Sequence, residues 1–148
     1  MAPVLVHGTA IRLGATGLIL VGPSGSGKSS LALALMASAR RAGHFSALVG
    51  DDQVFVEQSG DGVHANAPPN IVGKIEIRGS GIGAVAAIER ARMDLAVMPV
   101  AVTAENRIPA DGQRFELAPG IWLPLLCMDR STIDPLAVLE AMLPNFPG

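Results

Sequence analysis

Short apolar segments separated by glycine and proline make up most of the chain, and this pattern predicts more strands than helices. The glycine-containing triplet 60–62 lies between two such segments, 54–58 and 63–67, which together predict a β-hairpin. Pro99 predicts that the strand at 95–102 is bulged or lies at a sheet edge. The other predicted strands are 4–7, 10–13, 17–21, 46–50, 72–77 and two short strands within 115–128.

Three segments are predicted to be helical. The segment 28–41 repeats its apolar residues at helical spacing along one face. We also predict helices at 84–92 and at 133–143, with Thr132 or Ser131 as the N-cap of the last one. Because several hairpins interrupt simple βαβ alternation, the elements together predict an α/β fold with a mixed sheet flanked by helices.

Length, charge and cysteine content narrow the class of protein. A chain of 148 residues is long enough for one domain with its own core, so we predict a single domain over 1–148. No apolar run reaches the roughly 18 residues that a membrane span needs, and the N-terminus lacks the features of a signal peptide. With Cys127 as the single cysteine, we expect a cytoplasmic protein. The net charge of -2 argues against nucleic acid as the partner.

The segment 22–29 matches the phosphate-loop pattern G-x-x-x-x-G-K-[ST] at every fixed position. Its glycines allow backbone amides to point at phosphate oxygens, and the helix that follows directs its positive end at the same place. Lys28 is expected to reach the β- and γ-phosphates, and the Ser29 hydroxyl is expected to bind Mg²⁺. The predicted phosphate-loop residues are Gly22, Pro23, Ser24, Gly25, Ser26, Gly27, Lys28, Ser29 and Ser30.

Two adjacent acids, Asp51 and Asp52, follow the predicted strand 46–50. In proteins with a phosphate loop, an acid at the end of a neighbouring strand reaches Mg²⁺ or the nucleophile. Adjacent acids at a strand end point in different directions, so one can hold metal-bound water while the other accepts a proton from a hydroxyl. The alternative is a solvated turn that carries two acids.

Glu76 stands between two isoleucines and is followed by Arg78 and a glycine-rich turn at 79–83. A glutamate in this setting is unusual for a surface strand. A second metal ligand would explain it. The alternative is a charge pair on an edge strand with Lys74 or Arg78, and the pattern alone does not separate the two.

Several segments together resemble the HPr kinase/phosphorylase family. The family has a His-Gly before its loop, seen as His7-Gly8, and its G-x-S-G-x-G-K-S loop is seen at 22–29. A Gly-His at 43–44 precedes an apolar strand and the acid pair at 48–52. The family's E-I-R-G-x-G-I signature is seen at 76–82 and is the most specific match. The resemblance covers roughly residues 4–107 in order and spacing.

The resemblance implies an ATP-dependent protein serine kinase acting on HPr, the phosphocarrier of the sugar phosphotransferase system or of its nitrogen-related branch. It implies a fold similar to HPr kinase and phosphoenolpyruvate carboxykinase, with ATP and Mg²⁺ as cofactors. It places His7 and Lys28 at the active site, together with the acid pair. Asp51 is our preferred proton acceptor, and Asp52 is expected to contact metal or water.

Further roles also come from the resemblance. Ser29, Glu76 and Asp52 are expected to hold Mg²⁺. Arg107 is the best match to a downstream catalytic arginine, and its alternative is a solvated loop residue. The family is typically hexameric, so we expect a homo-oligomer.

Two departures from the family pattern change what is expected. Members usually carry a further N-terminal domain, so this chain resembles a short form that contains the catalytic domain only. The family's V-x-P-G-R-N segment, associated with the reverse phosphorolysis, has only a loose equivalent here in Arg130. The resemblance therefore supports phosphorylation of HPr more strongly than dephosphorylation.

Two other functions are compatible with the same loop. The first is a small-molecule kinase, although the sequence has no arginine-rich lid segment. The second is a regulatory module that binds ATP without transferring phosphate, because a complete loop supports binding as well as catalysis.

Overall fold

In the computed structural model, residues 2–148 form two helices and twelve strands. The helices are α1 (Lys28–Arg41) and α2 (Pro135–Met142), and Pro69–Ile71 forms a 3₁₀ turn. The strands are β1 (Val4–His7), β2 (Thr9–Leu13), β3 (Thr16–Leu20), β4 (Ser46–Gly50), β5 (Gln53–Ser59), β6 (Gly62–Asn66), β7 (Lys74–Ile77), β8 (Gly81–Ala84), β9 (Arg90–Met93), β10 (Leu95–Val100), β11 (Arg114–Ala118) and β12 (Ile121–Asp129). No helix within residues 2–148 is both long and apolar enough to cross a lipid bilayer.

The largest sheet has six strands in the order β11-β12-β10-β3-β2-β4. Strand β10 pairs in parallel with both β3 and β12, whereas the pairs β2–β3, β2–β4 and β11–β12 are antiparallel. A second, antiparallel sheet has the order β1-β5-β6-β9 and contains the β5–β6 hairpin expected from the sequence. The prediction of an α/β fold with a mixed sheet and flanking helices is confirmed.

The six-stranded sheet is covered on both faces, which explains why β3 is apolar at every position but its first two. Leu18 and Leu20 belong to the core cluster that contains the buried face of α1 and of α2. Ile19 points the other way and packs in the cluster formed with the four-stranded sheet. Successive residues of a strand face opposite sides, so β3 lies in the centre of three layers. The loop that follows β3 thereby starts from a fixed position.

The hairpin of β7 and β8 packs on the helix side of the molecule. Its two strands pair from Lys74 with Ala84 to Ile77 with Gly81. Ile75 is 1% exposed and belongs to the same core cluster as Leu35 of α1. This single buried side chain anchors a short hairpin against α1 and so brings the polar residues beside it to the phosphate loop.

The segment 84–92 is not a helix, and that prediction is wrong. The ends of the segment belong to β8 and β9. Between them, the N–H of Leu48 donates to the carbonyl of Ala86 at 2.8 Å, and its carbonyl accepts from the N–H of Ile88 at 3.0 Å. These bonds hold the segment beside β4 in the extended form, so long-range pairing overrides the helix propensity of its alanines.

The prediction of a bulge or an edge strand at Pro99 is also wrong, because β10 lies between β3 and β12. The register with β12 is continuous from Ala96 to Val100. Pairing with β3 ends at Val97, whose carbonyl accepts from the N–H of Val21 at 2.9 Å. Pro99 is two residues after Val97, so its backbone nitrogen is also on the side of β10 that faces β3. Because β3 has already ended there, the missing N–H of Pro99 removes no hydrogen bond between the two strands.

Helix α2 begins at Pro135, and its N-cap is Asp134 rather than Thr132 or Ser131. The Asp134 carboxylate accepts from the N–H of Ala137 at 3.2 Å. Proline suits the first helical position because its φ is already helical and its missing N–H needs no partner there. The proline therefore sets the start of the helix, and the residue before it becomes the cap.

Candidate active site

Three glycines with positive φ shape the loop between β3 and α1. Gly22, Gly25 and Gly27 have φ angles of 129°, 80° and 99°, which residues with a Cβ rarely adopt. Gly27 is the N-cap of α1, and no side chain within residues 2–148 caps this helix. The N–H groups of its first turn are therefore free to donate to an anion.

The side chain of Lys28 is held against this loop. Its Nζ donates to the carbonyl oxygens of Gly22 and Pro23, each at 3.0 Å, and the residue is 5% exposed. Burial lowers the pKa of Lys28 from its ordinary value, while the nearby carboxylates of Asp52 and Asp51 oppose that shift. The loop thus fixes one cation at the place where its amides converge.

Asp51, directly after β4, is the centre of a buried hydrogen-bond network. Its Oδ1 accepts from the hydroxyls of Ser29 at 2.6 Å and Thr9 at 2.9 Å. Its Oδ2 accepts from the N–H of Glu76 at 2.9 Å. These bonds compensate for the loss of water around a carboxylate that is only 7% exposed. Asp51 therefore connects β2, α1 and β7, and both of its oxygens are engaged.

Asp52 points away from that network. Its φ of 67° lies in the left-handed region, which aspartate tolerates better than most residues. The backbone there is held by a bond from the Asp52 N–H to the Thr9 hydroxyl at 3.2 Å and by one from the Gly8 N–H to the Asp52 carbonyl at 2.9 Å. The side chain is 64% exposed, and its Oδ1 lies 3.1 Å from Nε2 of His7. Asp52 therefore presents a solvent-accessible carboxylate beside the imidazole of His7.

A cavity of about 400 Å³ brings the loop, the acid pair and the β7–β8 hairpin together. The guanidinium nitrogens of Arg78 lie 3.6 and 3.8 Å from the position that a Cβ at Gly25 would occupy. Arg78 therefore reaches across to the loop from the hairpin. The lining residues are Ser24, Gly25, Gly27, Lys28, Ser29, Ser30, Asp51, Asp52, Glu76 and Arg78.

The three remaining polar residues of the loop region differ in their surroundings. Ser24 and Ser30 line the cavity. Ser26 is buried, and its Oγ has no hydrogen-bond partner within residues 2–148. A buried hydroxyl of this kind needs a partner, which a water or a bound ligand can supply.

The oxygen donors around the loop are suited to Mg²⁺ only in the presence of phosphate. Among residues 2–148, no group of three or more His, Cys, Asp or Glu side chains is arranged to hold a metal ion by itself. Ser29, Asp52 and Glu76 all line the cavity. Mg²⁺ in phosphate-transfer proteins takes one or two carboxylates and completes its shell with phosphate oxygens and water. This donor set meets that requirement.

Two predicted catalytic residues, His7 and Arg107, are not among the residues that line the cavity. His7 nevertheless lies 3.1 Å from Asp52, which does line it. Arg107 lies in the exposed segment 101–113 between β10 and β11, away from the lining residues. Arg78 lies at the loop instead. The sequence had suggested Arg78 only as an ion-pair partner of Glu76. Its place in the E-I-R-G segment is the signal that identifies it. Thr9 was also missed, and no sequence signal marks it because its role depends on the β2–β4 pairing.

Comparison with known proteins now defines the family. The HPr Serine kinase C-terminal domain matches residues 1–97 of the chain. This chain belongs to that family. The HPr kinase/phosphorylase 1 of Oceanobacillus iheyensis is 40% identical over 78 residues, and the HPr kinase/phosphorylase of Exiguobacterium sibiricum is 37% identical over 78 residues. Each match covers 52% of this chain and only 23% of the relative.

A solved structure extends the likeness beyond the matched segment. The Hpr(Ser) kinase/phosphatase from Coxiella burnetii superposes with a TM-score of 0.72 and covers 96% of this chain and 95% of that one, at 24% identity. The HPr serine kinase C-terminal fold therefore includes the β10–β12 region and α2, which lie mostly or wholly past residue 97.

Proposed function

We propose that this chain is an ATP-dependent protein serine kinase that phosphorylates HPr, with residues 1–148 acting as one catalytic domain. One observation carries the proposal: Asp51 joins the phosphate loop to the hairpin, while Asp52 remains exposed beside His7 at the same cavity. A binding site for phosphate and a free carboxylate thus lie side by side. The acceptor is inferred from the names of the relatives, which are HPr kinase/phosphorylases.

Phosphate binding in this proposal uses the loop and two cations. The free N–H groups at the start of α1 donate to the phosphate oxygens of ATP. Lys28 supplies a point charge that its two carbonyl partners already hold in place. Arg78, close to Gly25, offsets the charge that develops as the phosphoryl group moves. We assign to Arg78 the role that the sequence had assigned to Arg107.

Ser29 and Glu76 are the residues that would hold Mg²⁺. A bound Mg²⁺ neutralises charge on the β- and γ-phosphates and lowers the cost of transfer. The contribution of the chain is orientation: Asp51 accepts the Ser29 hydroxyl hydrogen, so the lone pairs of that oxygen turn towards the cavity. Asp51 thereby acts through Ser29, and both of its oxygens already accept hydrogen bonds.

Asp52 is the proton acceptor in this mechanism, which reverses the division that the sequence favoured. The serine hydroxyl of HPr gives its proton to Asp52, and its oxygen forms a bond to the γ-phosphorus. The bond from that phosphorus to the bridging oxygen breaks, and ADP leaves with the electron pair. His7, 3.1 Å from Asp52, orients the carboxylate towards the incoming hydroxyl.

The surface beside Asp52 is suited to a protein acceptor. A cavity of about 580 Å³ opens next to Asp52 and Glu76, and three isoleucines contribute its apolar walls: Ile71, Ile75 and Ile82. Ile82, in the glycine-rich hairpin, is 68% exposed. An open apolar surface next to the proton acceptor favours docking of a folded protein over enclosure of a small molecule.

The remaining expectations are proposals of the same kind. We propose a cytoplasmic homo-oligomer, and light scattering coupled to size-exclusion chromatography would measure its mass. The reverse removal of phosphate from HPr is left outside the proposal, because the family's V-x-P-G-R-N segment is not conserved in this chain beyond Arg130.

Incubation with γ-labelled ATP, Mg²⁺ and HPr tests the proposal against its alternatives. We expect label on HPr, and none when Lys28→Ala replaces the wild type. Label on free phosphate or on a metabolite alone would contradict the protein-kinase function, as would nucleotide binding without any transfer.

A further inference from the structure

Thr9, at the start of β2, carries a buried hydroxyl that contacts both acids of the pair. Its Oγ1 donates to Oδ1 of Asp51 at 2.9 Å and accepts from the N–H of Asp52 at 3.2 Å. An ionised carboxylate only accepts, so the one hydrogen of this hydroxyl points at Asp51 and a lone pair is left for the N–H of Asp52. The contact with Asp51 thereby fixes the orientation in which Thr9 holds Asp52.

Three consecutive residues at the junction of β1 and β2 hold Asp52 by three different groups. Nε2 of His7 lies 3.1 Å from the Asp52 carboxylate. The N–H of Gly8 donates to the Asp52 carbonyl at 2.9 Å, and the Thr9 hydroxyl accepts from the Asp52 N–H. Because the side chain of Thr9 is buried whereas that of His7 is 45% exposed, water competes least with the contact from Thr9.

The backbone of Asp52 needs such contacts. Its φ of 67° lies in the left-handed region, which costs energy for a residue with a Cβ and persists only where the surrounding structure holds it. The pairing of β2 with β4 ends at Ala10 and Gly50, so no ladder bond restrains the acids that follow. A return of φ to negative values would rotate the Cα–Cβ bond of Asp52 and redirect its carboxylate.

The same segment is tied to the strand that leads into the phosphate loop. Thr9 pairs with Leu20, the last residue of β3. A Cβ on Gly8 would lie only 3.1 Å from the Leu20 carbonyl oxygen, so the two segments are in close contact. A displacement of about 1 Å between reacting groups can cost about a hundredfold in rate. Thr9 therefore lies where it can set the position of Asp52 relative to the loop.

We propose that Thr9 is a positioning residue for phosphoryl transfer: its hydroxyl holds Asp52 in the backbone conformation that directs the carboxylate to the acceptor serine. The inference rests on the proposed function in taking Asp52 as the proton acceptor. ATP binding depends little on Thr9, because Asp51 keeps its shorter bond from Ser29, at 2.6 Å. Loss of the Thr9 hydroxyl therefore changes the rate of transfer and leaves the affinity for ATP.

Substitutions at Thr9 that remove or keep the hydroxyl test the inference. Thr9→Val keeps the branched shape, and Thr9→Ser keeps the hydroxyl. Thr16→Val is the matched control, because it also removes a donated bond, to the carbonyl of Pro147 at 2.7 Å, at the other end of β3. At saturating ATP, HPr phosphorylation should slow about tenfold in Thr9→Val. Thr9→Ser should regain most of the rate, and Thr16→Val should match the wild type, with the KM for ATP unchanged throughout.

Two further measurements separate positioning of Asp52 from a general structural effect. In an Asp52→Asn background, Thr9→Val should lower the remaining rate by less than about twofold, because the group that Thr9 positions is already lost. In the chain without ATP or HPr, hydrogen exchange of the Asp52 amide, measured by NMR, should be about tenfold faster in Thr9→Val than in the wild type or in Thr16→Val.

An unchanged transfer rate or an unchanged Asp52 exchange rate in Thr9→Val would overturn the inference. An equal loss of rate in both backgrounds would also overturn it, since Thr9 would then act through Asp51 or the loop. Thr9→Ala removes the same hydroxyl without placing a methyl group at Asp51, and it gives the same comparisons should Thr9→Val not fold. A wild-type chain that leaves HPr unphosphorylated contradicts the proposed function, whereas the exchange measurement uses no HPr and is a separate result.

Discussion

Replacing Asp51 and Asp52 by asparagine, one at a time, tests the two different roles that we propose for them. Asparagine keeps the shape of the side chain and removes its negative charge. At Asp51, one carboxylate oxygen becomes an NH₂ group, which cannot accept a hydrogen bond. If the amide oxygen keeps the bonds from Thr9 and Ser29, those two become neutral and the bond from the N–H of Glu76 is lost, at a cost of about 1 kcal/mol each. Relief of the buried charge offsets part of this loss. We expect the free energy of unfolding of Asp51→Asn to fall by about 2 kcal/mol, or about 6 °C in Tm for a chain of this length.

At Asp52 the same substitution should leave stability unchanged, within about 0.5 kcal/mol. The side chain is largely exposed, and its left-handed backbone suits asparagine as well as aspartate. Loss of the proton acceptor should lower the rate of HPr phosphorylation by about 10²- to 10⁴-fold, with ATP affinity retained. Asp51→Asn should instead weaken binding of ATP with Mg²⁺, because Ser29 loses the partner that orients it.

Calorimetric unfolding, titration with ATP and the initial rate of HPr phosphorylation give the three values for each variant. The reasoning is refuted if Asp51→Asn keeps the wild-type Tm and ATP affinity but loses transfer, while Asp52→Asn remains active. That outcome would restore Asp51 as the proton acceptor.

Three further predictions follow from the site and the fold. Arg78→Ala should lower the phosphorylation rate at least about tenfold, whereas Arg107→Ala should match the wild type; equal rates for the two variants would contradict the assignment of Arg78. Gly17→Ala should destabilise the chain by about 3 kcal/mol or more in chemical denaturation, because its Cβ would lie 1.8 Å from a carbonyl oxygen of β9. Gly60→Ala has open space around it and is the control; a Gly17→Ala variant as stable as this control would contradict the packing. Burial lowers the pKa of Lys28 below 10.5 in the protein without ligand. The affinity for tripolyphosphate should therefore begin to fall below pH 10.5, as the ammonium group loses its proton. Constant affinity up to that pH would contradict the lowered pKa.

The strand, loop and helix that form the phosphate-loop motif could be predicted from sequence, because they depend on local signals. Apolar residues of β3, glycines with positive φ and the helical spacing of α1 all lie within residues 16–41. The prediction of a helix at 84–92 was wrong for the opposite reason, since the extended conformation of this segment depends on pairing with Leu48, which is distant in sequence. The prediction for Pro99 was wrong because the sequence of β10 does not show where its neighbour β3 ends. That end is the reason the missing N–H of Pro99 costs no hydrogen bond.

The roles of the two acids could not be separated from sequence. Asp51 and Asp52 follow the same strand, and only the positive φ of Asp52 directs one side chain outwards. The partners of Asp51 come from three different elements, of which the phosphate loop alone has a sequence signature. Arg78 illustrates the same limit, because its distance from the loop depends on how the β7–β8 hairpin packs on α1.

The central claim is transfer of a phosphoryl group from ATP to a serine side chain of HPr, and intact-mass spectrometry of HPr tests it most directly. After incubation with this chain, ATP and Mg²⁺, HPr should gain the mass of one phosphoryl group, and fragmentation should place it on a serine. HPr of unchanged mass alongside a chain that binds ATP would contradict the claim, and so would a phosphoryl group found on histidine.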